Sequence, residues 1–188
     1  MHQYKGRLIV HTGSMFSGKT SSLEKDLKRF QIAGYHTVAF KPSIDTRYEG
    51  EDIVTHDNTY ISAILVEHVK DIKKFCEDST VAVVGIDEVQ FLEGSISEIL
   101  EVLCDLLDRG ITVIVAGLDM DFTGKPFEIV KELMPLSDYL NKHHAVCTKC
   151  GSDAWVSHRK TEDTQRVVLG ANEEYEPLCR ACYRNLKK

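Results

Sequence analysis

The chain has 188 residues, enough for one ordinary domain or one domain with a small appendage, and its 43% hydrophobic and 28% charged residues exclude a disordered polymer. A net charge of −6, from 29 acids against 23 bases, argues against broad binding to a nucleic-acid backbone, which needs clustered cations, but leaves room for a small phosphorylated ligand. No apolar run approaches the ~20 residues of a membrane-spanning helix, and Met1 to Arg7 shows no signal-peptide pattern, so the expected location is cytoplasmic, with no membrane or nucleic-acid partner.

In chain order, Leu8-Ile9-Val10-His11 reads as a short buried strand ending at Gly13. Residues 20–33 read as a helix, with Leu23, Leu27 and Phe30 at helical spacing and Gly34 as the stop. Strand resumes over 37–40 and closes at Pro42, and residues 81–86 are apolar throughout, as a strand covered on both faces must be. Ile96, Ile99, Leu100, Leu103, Leu106 and Leu107 mark an amphipathic helix ending at Arg109-Gly110, and 112–116 form a further strand. This alternation predicts an α/β layer with a mostly parallel sheet flanked by helices. After about Leu140, glycines, charges and paired cysteines replace apolar runs, so the expected units are 1–144 and a small C-terminal one, 145–188.

The segment Gly13-Ser14-Met15-Phe16-Ser17-Gly18-Lys19-Thr20 matches G-x-x-x-x-G-K-[ST] in full, between a predicted strand and a predicted helix. The glycines let the backbone wrap phosphate oxygens, and the helix adds the positive end of its dipole. Lys19 reaches the outer phosphates and the Thr20 hydroxyl takes a place on Mg²⁺. The expected fold is therefore of the P-loop NTPase type, and the loop by itself predicts a bound nucleoside triphosphate without naming the reaction. At the end of the apolar strand stand Asp87 and Glu88. A carboxylate there holds Mg²⁺, a role given to Asp87. Adjacent strand residues face opposite ways, so Glu88 is expected to aim at an acceptor hydroxyl as general base. With the loop, Asp87, Glu88, Val89 and Gln90 complete the expected nucleotide-binding set.

Cys147-x₂-Cys150 and Cys179-x₂-Cys182 supply four thiolates for a tetrahedral, structural Zn²⁺, with 28 residues between the pairs. Cys76 and Cys104 read as small buried hydrophobes, and His143 and His144 as solvated linker residues.

The phosphate loop, Asp45-Thr46-Arg47-Tyr48, Thr55-His56-Asp57, Asp87-Glu88-Val89-Gln90-Phe91, Gly117-Leu118-Asp119 through Phe122, and Lys125-Pro126-Phe127 occur in that order, followed by the cysteine pairs. Together they resemble the type II (cellular, zinc-containing) thymidine kinases over essentially the whole chain. The resemblance implies transfer of the ATP γ-phosphoryl to the 5′-hydroxyl of deoxythymidine, giving dTMP and ADP in the salvage route that feeds DNA synthesis. It implies that Glu88 takes the hydroxyl proton, that Arg47 offsets charge on the transferring phosphates beside Lys19, and that Asp45 positions that region. It further implies an apolar base pocket from Met15, Phe91, Leu118, Phe122 and Phe127. A lasso-like loop with Val168, Leu169, Gly170, Ala171, Asn172 and Tyr175 closes over the nucleoside and bonds the base through its backbone. Homotetramers inhibited by dTTP are implied too. Three positions depart from the pattern: Gly170-Ala171 for a double glycine, Thr123 for an arginine that makes a surface or subunit contact, and Ser157 for a threonine near the base.

Two other readings compete. One keeps the phosphate loop but makes the protein a GTPase or mechanical ATPase; a GTPase would usually carry an Asn-Lys-x-Asp motif, which is absent. A nucleic-acid module on the tail would use Arg159, Lys160, Arg166, Arg180, Arg184, Lys187 and Lys188, but Asp153, Glu162, Asp163, Glu173, Glu174 and Glu176 nearly cancel them.

Overall fold

A strand buried on both faces must find helices on both, and three segments impose that demand. In a computed structural model, which describes residues 5–43, 52–54, 60–78, 80–161 and 174–186, β1 (Leu8–Gly13), β6 (Val81–Ile86) and β7 (Thr112–Leu118) form the sheet centre. Around them lie β2 (His36–Pro42), β5 (Ile64–Val66) and β8 (Tyr139–His143). The strand order is β5-β2-β6-β7-β1-β8, and every pairing is parallel. All six strands therefore end at one edge, where open α/β sheets bind ligands. A separate short ladder pairs β3 (Asp52–Val54) with β4 (Tyr60–Ser62).

Residues alternate between the faces. Ile9, Val83, Ile114 and Ala116 pack under α1 (Lys19–Ile32) against Leu23, Leu27 and Phe30. Leu8, Val10, Val84, Ile86, Val113 and Val115 face α2 (Val69–Phe75), α3 (Ile96–Asp108) and α4 (Glu128–Leu136). α1 lies close to β6 because Gly85 has no side chain: a Cβ there would stand 2.6 Å from Leu27 Cδ1.

The helices begin differently. Ser95 and Glu98 cap α3 reciprocally, and His68 and Asp71 do the same for α2. α1 has neither a side-chain cap nor an acid in its first turn. Its leading N–H groups therefore retain their affinity for an anion.

The elements read from sequence appear within a residue or two of their expected places. Those left unassigned have physical reasons. β8 is an edge strand, exposed at four of five positions, so Tyr139-Leu140-Asn141-Lys142-His143 shows no apolar alternation. α4 carries Pro135 in its last turn, and α2 has only Val69 and Ile72 buried.

Beyond β8, the antiparallel hairpin β9 (Val156–Arg159) and β10 (Tyr175–Leu178) leads into α5 (Arg180–Leu186). Cys147, Val156, Leu178 and Tyr183 form a small cluster of their own, with Trp155 against it. Among the described residues no helix is long and apolar enough to cross a membrane.

Candidate active site

The loop between β1 and α1 is held open by backbone that few side chains tolerate. Gly13 has φ 139°, and a Cβ there would lie 2.1 Å from the His143 carbonyl oxygen of β8. Only glycine fits. Phe16 and Gly18 both take positive φ, 63° and 82°, turning the chain back on itself before the helix starts. Inside the turn, the Ser17 hydroxyl and the Lys19 ammonium both donate to the Ser14 carbonyl, at 2.7 and 2.8 Å. Lys19 is 7% exposed, and the buried Ser14 hydroxyl makes no hydrogen bond among the described residues. A buried ammonium, a hydroxyl without a partner and an uncapped helix fit a phosphate chain. One amide is already committed: Met15 N–H donates to the Ser157 hydroxyl on β9 at 2.8 Å.

Asp87 is buried just past β6, and its N–H donates to the Phe40 carbonyl of β2. The Thr20 hydroxyl lies 3.2 Å from both carboxylate oxygens. A hydroxyl and a carboxylate are the hard oxygen donors that suit Mg²⁺.

Asp87 and Glu88 are not the adjacent strand residues expected from the sequence. β6 has already ended, and Glu88 adopts a left-handed conformation (φ 50°, ψ 44°) that opens a short 3₁₀ turn over Val89–Phe91. The Gln90 side-chain amide donates to the Glu88 carboxylate, while its oxygen accepts from Leu118 N–H of β7 at 3.0 Å. Gln90 thus ties Glu88 to the neighbouring strand.

Met15, Leu118, Phe127 and Tyr175 belong to one cluster, with Phe122 packed against it. Phe91 meets Phe127 edge to face, 6.3 Å between centroids. The Phe122 turn is wired by Asp121, which accepts from Thr123 N–H (2.9 Å), the Thr123 hydroxyl (2.6 Å) and Lys125 N–H (3.0 Å). Thr123 thus serves its own turn. Asp45, Arg47, Thr55, His56, Asp57, Val168, Leu169, Gly170, Ala171 and Asn172 lie outside the described residues.

The ligand atoms of Cys147, Cys150, Cys179 and Cys182 all lie within 4.8 Å of one another, and they could bind zinc. Hydrogen bonding with Ser152 draws the Cys150 thiol down to about 6, whereas hydrogen bonding with Cys179 pushes Cys182 up to about 12. Sulfurs so crowded do not all shed protons without a cation among them.

Two expectations are corrected. Cys76 is fully buried, and burial pushes its thiol up to about 11, but Cys104 lies on the exposed side of α3. His143 is neither solvated nor in a linker. It ends β8 half-buried, with Nε2 3.0 Å from His11 Nδ1, and His11 Nε2 is 3.1 Å from Asp26. Burial first, then the nearby His11, Lys19 and His144, hold the His143 imidazole below its ordinary pKa. Arg159, read from sequence only as a tail charge, is 3% exposed against Phe122 and Tyr175. A side chain whose partners are distant in sequence leaves no local signal.

An all-parallel sheet with a glycine-rich phosphate loop, a paired Thr20 and Asp87, and a Glu88 carboxylate held by Gln90 defines a P-loop phosphotransferase architecture. The thymidine kinase family model matches residues 6–183. A thymidine kinase of Bacteroides thetaiotaomicron is 45% identical over 179 residues, covering 95% of this chain and 87% of that protein. Thymidine kinases of Bacteroides fragilis (44% identical) and Porphyromonas gingivalis (43%) each align over 180 residues, covering 96% of this chain and 88% and 86% of their own. The chain belongs to the thymidine kinase family, and it is an ATP-dependent kinase.

Proposed function

We propose that the protein transfers the γ-phosphoryl of ATP to the 5′-hydroxyl of deoxythymidine, yielding dTMP and ADP. One observation carries the reading. The Thr20 hydroxyl meets the Asp87 carboxylate just past β6, and the next residue, Glu88, takes a left-handed backbone and accepts from Gln90, which in turn accepts from Leu118 N–H of the apolar cluster. Donor and acceptor chemistry thus meet across one peptide bond.

Lys19 exchanges the Ser14 carbonyl for outer phosphate oxygens, and the loop amides with the head of α1 hold the remainder. Thr20 and Asp87 would hold Mg²⁺, which when bound would offset charge on the phosphate chain. Glu88, held by Gln90, takes the 5′-hydroxyl proton as that oxygen bonds to the γ-phosphorus and the bond to the ADP oxygen breaks. Arg47 offsets charge on the transferring group, and Asp45 positions it. Met15, Phe91, Leu118, Phe122 and Phe127 enclose thymine, with Val168, Leu169, Gly170, Ala171, Asn172 and Tyr175 closing over it. The unit from 145 to 188 carries structural Zn²⁺ on its four cysteines. The working form is a cytoplasmic homotetramer inhibited by dTTP.

Labelled ATP, Mg²⁺ and each of the four deoxynucleosides in turn provide the test. Label should pass to thymidine far more efficiently than to the purine nucleosides or deoxycytidine. Transfer to none of them, or equal transfer to all, would refute the reading.

A further inference from the structure

Arg159 ends β9 with its side chain nearly sealed from water, and no step above uses it. Burying a guanidinium costs free energy that its contacts must offset. Among the described residues those contacts include two aromatic rings. The guanidinium carbon stands 3.9 Å from the centre of the Phe122 ring and 5.3 Å from that of Tyr175. Its Nε and Nη2 both donate to the Tyr175 phenol oxygen, at 3.2 and 2.7 Å. Tyr175 faces Arg159 directly across the hairpin ladder, so the β-register fixes this pair.

Each ring is anchored at a second place. The Phe122 carbonyl accepts from the Tyr183 hydroxyl of α5 at 2.9 Å, and Tyr175 sits in the main core cluster with Met15, Leu118 and Phe127. Two residues before Arg159, on the same face of β9, Ser157 bonds the phosphate loop. One face of a four-residue strand therefore reaches the donor loop at one position and the acceptor walls at the next.

We propose that Arg159 is a positioning residue for the acceptor nucleoside, holding Phe122 and Tyr175 at the separation and tilt that the sugar and base require. The inference rests on the thymidine kinase reading. Arginine suits the task because its flat cation stacks on one ring and sends two parallel donors to the other. Lysine retains the charge and cannot do both.

The test measures steady-state kinetics of full-length protein with zinc content and Tm alongside. Wild-type turnover of thymidine comes first: its absence refutes the functional reading, and this inference with it. With wild type active, Arg159→Lys should raise KM for thymidine about tenfold, the effect of losing a charge-assisted hydrogen bond, with KM for ATP and zinc content within twofold. Tyr175→Phe, which removes only the acceptor oxygen, should move the same constant, and the double variant should be no worse than the poorer single one. Should Arg159→Lys fail to fold, Tyr175→Phe decides alone. A thymidine KM within twofold of wild type, or equal rises in both substrates' KM, would overturn the proposal and leave the kinase assignment standing.

Discussion

Glu88 holds a backbone conformation that costs a non-glycine residue roughly 1–2 kcal/mol, and it does so directly after Asp87, the carboxylate paired with Thr20. Strain kept at such a point suggests a carboxylate placed for chemistry. Glu88→Gln should keep ATP affinity within a few-fold while kcat falls on the order of 10²–10⁴-fold; near-normal turnover in single-turnover kinetics would remove it as the base. His143 supplies a second prediction. Its depressed folded pKa means that just below the ordinary value of 6.5 the unfolded chain binds a proton the folded one refuses. Stability from this site is therefore complete above that pH and declines as pH falls through it. Tm measured across pH 7.5 to 5.5 should drop, and the drop should shrink in His143→Gln; an unchanged slope would exclude this origin. At this scale the phosphate loop was legible because its chemistry is contiguous in sequence. The left-handed turn at Glu88 was not legible, since it leaves no mark on a Glu-Val-Gln run. His143 was misread because its partners, His11 and Asp26, lie on β1 and α1.

Among the elements, α1 and α3 illustrate two sources of helix stability. α3 is capped reciprocally at Ser95 and buries Ile99, Val102, Leu103 and Leu106, so its pattern announced it. Leu106→Ala should lower stability by about 2–5 kcal/mol, read by denaturant titration, and leave kcat of the folded fraction close to wild type. A loss under 1 kcal/mol would mean that the α3 packing relaxes freely. α1 lacks a side-chain cap at its phosphate-loop end, which no propensity scale would favour and a bound anion would explain. ATP at a hundred times its Kd should then stabilise the fold by about 2.7 kcal/mol, an effect absent in Lys19→Ala; equal thermal shifts in the two proteins would contradict the loop assignment. β8 escaped detection because backbone pairing with β1, rather than buried side chains, keeps it in the sheet.

For the molecule as a whole, the apolar alternation foretold a parallel sheet, and the cysteine spacing foretold a clustered tetrad. What sequence could not foretell is how firmly the cysteine-bearing unit is fastened to the rest. Among the described residues, Ser157 bonds the phosphate loop, Arg159 stacks on Phe122, Tyr183 bonds the Phe122 carbonyl and Tyr175 packs with Met15, Leu118 and Phe127. A strong chelator should therefore release one metal per chain and abolish thymidine phosphorylation together with the native Tm, restored by Zn²⁺. Full activity in metal-free protein would exclude a structural ion.

The Ser157–Met15 bond also has a thermodynamic corollary. On the proposed function, a hydroxyl of the hairpin beside the nucleoside site would grip an amide of the triphosphate loop, so ordering either site would prepare the other. Linkage then demands symmetry: if the triphosphate sharpens affinity for the nucleoside by some factor, the nucleoside must sharpen affinity for the triphosphate by that same factor. Replacing Ser157 by alanine should bring that shared factor toward unity from both directions at once.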